Sequence, residues 1–304
     1  MDTRLLTTFL TLARTGNFTG AAAELHLSQS TVTAQIKSLE KELGVRLFDR
    51  MPRGAQLTGA GRRLMTEAEG VLEAETRLRG TAAGDARSGG TVVLGAGDTL
   101  CSTHVPRIVA ALRRTHPGID VHLHPAGSDA AVEGLRAGRL DVALLLEDQV
   151  ALADMTARPL AAEPLVLIAA PGHPLAALDR PVTWAELARE TFFLHEEGCS
   201  YSDRVARELL GVRDARPRLT RFGSSEAART CVAAGLGLGV LPRATVRTAL
   251  REGTLTAVPG PGLPDVPVQL VRRRGRWTSP AVQAVLDALT DHFARHGNGG
   301  SAVE

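Results

Sequence analysis

The stretch AAAELHLSQSTVTAQIKSLEKELG, residues 21–44, reads as a helix to His26, breaks at Leu27-Ser28 and resumes with small, uncharged, hydrogen-bonding side chains. Ser28 suits the N-cap of the resumed helix, since its hydroxyl can accept one of the amide hydrogens that a helix start leaves unpaired. In that helix Val32, Ile36, Leu39 and Leu43 fall within about 40° of one another at about 100° per residue, an apolar stripe for a core. The opposite face offers Ser30, Ala34, Lys37, Ser38 and Lys41, where a merely solvated helix would carry more Glu and Lys. Two short helices joined by a tight turn, the second bearing Gln29, Ser30, Thr31 and Thr33 at its start, predict a helix-turn-helix whose second helix enters a major groove. There amides and hydroxyls can pair with base edges, and Ala34 can touch a thymine methyl. The alternative is an ordinary three-helix bundle with a polar exterior.

On the N-terminal side, Leu6, Phe9, Leu10 and Ala13 repeat at helical spacing and mark one buried face, closed by Gly16 and Asn17. Beyond the reading helix, Gly44, Phe48, the segment RMPRGAQ (residues 50–56) and Leu57 make a turn-rich basic piece, suited to a wing whose Arg50 and Arg53 reach phosphates. Net charge over the 304 residues is only +2. Residues 1–63, however, hold nine basic against five acidic side chains, so the remainder is slightly acidic and the positive potential lies where a phosphate backbone would be met.

The segment FTGAAAELHLSQSTVTAQIKSLEKELGVRLFDR, residues 18–50, resembles the N-terminal domain of LysR-type transcriptional regulators. The resemblance is dense and ungapped over about residues 1–65, and it implies base or phosphate contacts from Gln29, Ser30, Thr31 and Thr33, with Arg53 in the wing. The chain departs from the family pattern at Ser30, where a proline is usual, and at Ala34, where a long polar or basic side chain is common.

Downstream, Leu57, Leu64, Val71 and Leu78 recur every seven residues, with Ala60, Ala68 and Ala74 beside them. This predicts a long helix with a coiled-coil seam. Because Thr81–Gly90 is small, Gly-rich and linker-like, the seam is expected to pair with a second copy, giving a homodimer or homotetramer. From about residue 91 the pattern becomes α/β: strands at TVVLGAG, DVHLHPAG, DVALLLE, PLVLIAA, TFFLHEEG, RLTRFGS and VPVQLVRRR, separated by helices, including one from about Ser102 to His116. Two such units with a late return strand predict two lobes around a hinge, and the resemblance implies an effector domain like periplasmic binding proteins. The expected fold is thus α/β overall: a winged helix-turn-helix domain at 1–57, a linker helix and hinge at 58–90, and an effector domain at 91–304. Within the last, lobe 1 is about 91–162 plus 266–304 and lobe 2 about 163–265.

Other chemistry is excluded on spacing. GAGDTL (Gly95–Leu100) lacks the third glycine of a dinucleotide fingerprint, and Ser38-Leu39-Glu40-Lys41 places Leu39 in the buried stripe of the reading helix. Cys101 and His104 have the spacing of half a zinc site, but no second pair completes it, so neither metal nor cofactor is expected. Three widely spaced cysteines do not make a disulfide framework. The apolar runs are far shorter than the ~20 residues of a membrane span, and the N-terminus does not read as a leader, which points to a cytoplasmic protein without membrane contact.

What remains is a ligand cleft beyond the carboxyl ends of the strands, where helix N-termini meet. The candidate effector contacts are Thr99, Cys101, Ser102, Ser128, His195, Glu196, Cys199, Ser200 and Ser224. The competing view is that each hydroxyl caps its own helix. Asp98, Glu196 and Glu197 at the same ends would repel a simple anion, so an amino acid or an amine-bearing metabolite ranks above a plain aromatic acid. A redox switch between Cys101 and Cys199 is a further possibility. The expected function is sequence-specific binding of a double-stranded DNA operator under control of a small-molecule effector, without catalysis. The alternatives are a metabolite-binding protein whose N-terminal domain only dimerises, and an α/β enzyme.

Overall fold

The computed structural model describes residues 2–51, 54–82 and 89–296. They fall into two compact units, parted between residues 86 and 87.

The first unit begins with α1 (Thr3–Thr15), capped by the Asp2 carboxylate and closed by Gly16 in the left-handed region. Asn17 Oδ1 accepts from the Gly20 amide at 2.6 Å and starts α2 (Phe18–Leu25). His26, at φ 53°, ends α2 and turns the chain; Ser28 Oγ then accepts from the Thr31 amide at 3.1 Å and starts α3 (Gln29–Leu43). The break is therefore made by local capping chemistry on both sides. Val32, Ile36 and Leu39 are buried against Leu6, Phe9 and Leu12, while Leu43, expected in the same stripe, lies at its edge and is 37% exposed. On α1 the buried face is centred on Leu5, Leu6, Phe9 and Leu12; Leu10 and Ala13 only flank it.

Strands β1 (Phe48–Met51) and β2 (Gly54–Leu57) pair antiparallel as a wing. Glu40 on α3 fixes its root by accepting from the Leu47 and Phe48 amides at 2.8 and 3.3 Å. Then comes α4 (Gly59–Ala82). Its first turns lie so close to the wing root that a Cβ at Gly61 would sit 2.3 Å from the Leu47 carbonyl oxygen. This unit corrects the expected seam. Leu57 is on β2, not on the helix, and both Leu57 and Leu64 pack into the unit's own core together with Met65, Ala68 and Leu72. Val71 and Leu78 are exposed, at 39% and 72%. Residues 83–88 of the expected linker lie outside the described residues.

The second unit holds two five-stranded sheets. The first contains β3 (Gly90–Ala96), β4 (Ile119–Pro125), β5 (Val142–Leu146), β6 (Met155–Glu163) and, returning from the far end of the chain, β12 (Val266–Arg273), in the order β4-β3-β5-β12-β6. The second contains β7 (Leu165–Ala169), β8 (Thr191–His195), β9 (Arg218–Phe222), β10 (Leu238–Pro242) and β11 (Thr256–Ala257), in the order β11-β7-β10-β8-β9. Both sheets are mixed: β3, β4 and β5 are mutually parallel, as are β8, β9 and β10, but β12, β6, β7 and β11 pair antiparallel.

Helices α5 (Asp98–Thr103), α6 (Val105–Thr115), α7 (Ser128–Arg136) and α12 (Pro280–His296) accompany the first sheet, and α8 (Trp184–Leu187), α9 (Ser200–Leu210), α10 (Ser225–Ala233) and α11 (Arg243–Arg251) the second. The single helix expected over 102–116 is in fact α5 and α6, broken at His104, because Pro106 in the first turn of α6 has no amide hydrogen to continue the ladder. Each sheet buries both faces: Val92, Leu94 and Leu144 against α6 and α12, Leu140 and Ala143 against α7, Phe192 and Leu238 against α9, Ile168 and Phe193 against α10 and α11. The two sheets are joined by Pro164 between β6 and β7, and by residues 258–265 between β11 and β12.

Candidate functional site

In the second unit, the carboxyl ends of β3, β4, β5 and β8 meet at one cleft. From the first sheet come the turn after β3 with the start of α5, the turn after β4 with the start of α7, and the residue after β5. From the second comes the segment His195–Cys199 after β8, with Tyr201 behind it. The cleft encloses about 310 Å³, near the lower end of small-molecule sites.

Of the expected contacts, Thr99, Ser128, His195, Glu196 and Cys199 line this space, with Asp98 and Glu197. Four do not. Cys101 packs on the first sheet's core, with its thiol on the Ala96 carbonyl at 3.2 Å. The Ser102 hydroxyl donates back to the Asp98 and Thr99 carbonyls within its own helix, and Ser200 Oγ donates to the Leu146 carbonyl at 3.0 Å, tying the lobes together. Ser224 holds the N-cap position of α10 without making a side-chain cap bond. Asp129, Glu147 and Tyr201 line the cleft although they were not singled out as contacts. For Glu147 a signal existed, since the first carboxylate directly after the apolar run Val142–Leu146 must emerge at the strand's carboxyl end.

Asp98 is the main tie across the cleft. Its Oδ2 accepts from the Ser225 amide at 2.9 Å and from the Ser225 hydroxyl at 2.5 Å, so a carboxylate of one lobe caps α10 of the other. Glu196 reaches the opposite way: a Cβ at Gly127 would stand 3.1 Å from its Oε1, so this carboxylate lies close against the turn before α7. Ser128 Oγ donates to Glu147, and burial raises the Glu147 pKa against that bond. Burial also lowers the His195 pKa, favouring the neutral imidazole. His195 Nδ1 is buried and finds no hydrogen-bond partner among the described residues. Burial pushes the Cys199 thiol up to about 12 and the Cys101 thiol to about 11, with carboxylates adding to both effects. Such thiols are poor nucleophiles at neutral pH, which counts against the redox pair.

Behind the cleft, at the other end of α5, His104 lies between two buried partners. A carboxylate oxygen accepts, so His104 Nε2 donates to Glu163 Oε2 at 3.2 Å, while Nδ1 meets His292 Nε2 at 3.0 Å. Glu163 Oε1 in turn accepts from the Ala244 amide at 3.1 Å in the first turn of α11. Among the described residues no group of three or more His, Cys, Asp or Glu is placed to hold a metal ion, and no helix is long and apolar enough to cross a membrane.

In the first unit, Gln29, Ser30, Ala34 and Lys37 stand exposed along one face of α3, with Thr31 and Thr33 half-buried beside them. Ser30 and Thr31 hydroxyls both meet Ser28 Oγ, at 2.8 and 2.7 Å, leaving Gln29 and Lys37 as the long side chains free to reach outward. The Arg50 side chain and Arg53 lie outside the described residues.

Two family models match the chain: bacterial regulatory helix-turn-helix protein, lysR family, over residues 3–62, and LysR substrate binding domain over residues 85–294. The chain is 32% identical to the uncharacterized HTH-type transcriptional regulator YwqM of Bacillus subtilis (strain 168) across 96% of this chain and 100% of that one. It is also 32% identical to the RuBisCO operon transcriptional regulator of Allochromatium vinosum, across 96% of each. Among solved structures, a full-length OxyR variant from Pseudomonas aeruginosa superposes with a TM-score of 0.75 at 27% identity, across 96% of this chain and 94% of that one.

Proposed function

The chain belongs to the LysR-type family of transcriptional regulators, and from that premise we propose how its parts divide the work of DNA binding and effector response. The chain is a DNA-binding regulator with an effector-binding domain. In the division we propose, α3 reads base edges, with Gln29 as the principal reader and Lys37, Arg50 and Arg53 meeting phosphates. Two copies bind together, as two-fold operators require, and the exposed Val71 and Leu78 on α4 supply the pairing surface. The protein acts at DNA in the cytoplasm and turns over no substrate.

The observation that carries the effector reading is the cleft itself: carboxyl ends of parallel strands from two sheets, closed over about 310 Å³ by the Asp98–Ser225 tie. A ligand that prefers one lobe spacing over another shifts the population of DNA-binding arrangements by its difference in affinity for the two. The test is retention of fragmented parental DNA by the full chain, followed by titration of a recovered duplex and a shuffled one. Selective binding whose affinity falls steeply with salt is expected. Equal affinity for both duplexes would defeat the DNA-reading assignment.

A further inference from the structure

We propose that the ligand of this cleft carries a cationic nitrogen, an amine or guanidinium on an apolar frame, and that compounds whose only charge is a carboxylate are excluded. The inference rests on reading the cleft as the effector site. Five carboxylates face the space, from Asp98, Asp129, Glu147, Glu196 and Glu197, and neither lysine nor arginine is among the lining residues. An anion entering this wall would meet like charge on both lobes.

Two of the helix starts near the cleft are already filled by the protein's own carboxylates, while those of α5 and α7, which carry no side-chain cap, stand beside Asp98 and Asp129. The first amide of α10 is bound by Asp98, and the Gly198 amide ahead of α9 is bound by Asp203 Oδ2 at 3.0 Å. The protein's own carboxylates thus occupy the anion positions of α10 and α9. Conversely, the buried His195 Nδ1, without a partner among the described residues, is a nitrogen that can accept an N–H from a ligand. The apolar part of the wall, Leu145, Leu146, Ala126 and Ala130, suits a short hydrocarbon body. The acidic groups are not gathered as metal ligands among the described residues, so the charge they match is spread along an organic molecule and not concentrated in one ion.

The experiment uses full-length protein, thermal-shift screening and titration calorimetry, with agmatine, putrescine and L-arginine as cationic probes, succinate and benzoate as acids, and magnesium chloride as the inorganic control. At least one cationic probe is expected to raise Tm and bind, and Glu196→Gln combined with Glu197→Gln is expected to weaken it by about tenfold or more with an unchanged circular dichroism spectrum. Binding of succinate or benzoate alone, an equal response to magnesium, cation binding indifferent to the double substitution, or no response to any cationic probe would each overturn the inference. Ala130→Trp, which fills the cleft from the exposed side of α7, separates this failure from failure of the site. Acid binding that Ala130→Trp removes leaves the cleft as the effector site and refutes only the cationic class; binding of any probe that survives Ala130→Trp refutes the cleft itself.

Discussion

Replacing Asp98 by alanine should loosen the start of α10, a helix of the other lobe. Ser224 occupies the N-cap position there but makes no cap bond, so the Asp98 carboxylate supplies the cap from more than a hundred residues away in sequence. Losing an N-cap costs about 0.5–2 kcal/mol, and hydrogen bonds to an ionised acceptor contribute about 1.5–3 kcal/mol each. The Ser225 side chain is left buried at 4% exposure without its acceptor, while removing one of five neighbouring carboxylates relieves some repulsion. A net loss of about 2 kcal/mol is expected, which corresponds to roughly thirtyfold faster hydrogen exchange of the Ser225 amide. Exchange mass spectrometry on the peptide spanning α10 reads this directly. Ser225→Ala alone should cost less, because the amide bond to Asp98 remains, and it should add almost nothing in the Asp98→Ala background. Exchange unchanged within threefold, or strictly additive costs in the double variant, would refute the cross-lobe cap.

Four further outcomes are expected. Gln29→Ala should weaken binding to a recovered operator by about 1–3 kcal/mol and leave a shuffled duplex unaffected, by fluorescence anisotropy at fixed salt. Leu64→Asp should unfold the N-terminal unit, since that side chain is in its core, whereas Leu78→Asp should leave the circular dichroism spectrum intact and weaken self-association in sedimentation. Glu147→Gln bears on pH: burial raises this carboxyl above its ordinary 4.5, so the folded chain holds the proton more tightly than the unfolded one and stability falls as pH rises through that window. The glutamine variant should therefore gain Tm over the parent at pH 7 and lose that advantage below pH of about 4.5. Cys199, its thiol pushed up to about 12, should alkylate with iodoacetamide far more slowly at neutral pH than a free thiol.

The helix-turn-helix was legible because its boundaries are written locally. Asn17, Ser28 and Gly44 each fix a helix end through bonds within a few residues, and the buried stripes of α1 and α3 are near neighbours in sequence. The seam on α4 misled for a geometric reason: a seven-residue repeat drifts on a straight helix, and the row that meets the core is Leu64, Ala68 and Leu72, spaced by four. Strand β6 escaped notice because MTARPLAAE carries Pro159 and mostly exposed side chains, which is tolerable only at a sheet edge, and edge position is a property of topology. In the cleft, strand ends told which turns gather, but not which hydroxyls turn away. Ser102 and Ser200 satisfy themselves on backbone carbonyls, and the partners of Asp98 and His104 lie in distant segments.

Helix α5 is fastened to the second lobe at both ends: Asp98 holds the first turn of α10, and His104, through Glu163, holds the first turn of α11. From Asp98 to His104, six steps along the chain, the helix rises about 9 Å. Two fixed points on a rigid body leave it one rotation, about the line that joins them, and here that line runs along α5. The helix is then an axle. Rolling about that line leaves both anchors intact, whereas swinging across it pulls on Asp98; freeing the Asp98 end leaves the His104 anchor, the Ser200–Leu146 bond and the two chain crossovers, and motions that the Asp98 bond resists become available. A ligand that draws Asp98 away from Ser225 would change the number of ways the lobes can move as well as how far apart they sit.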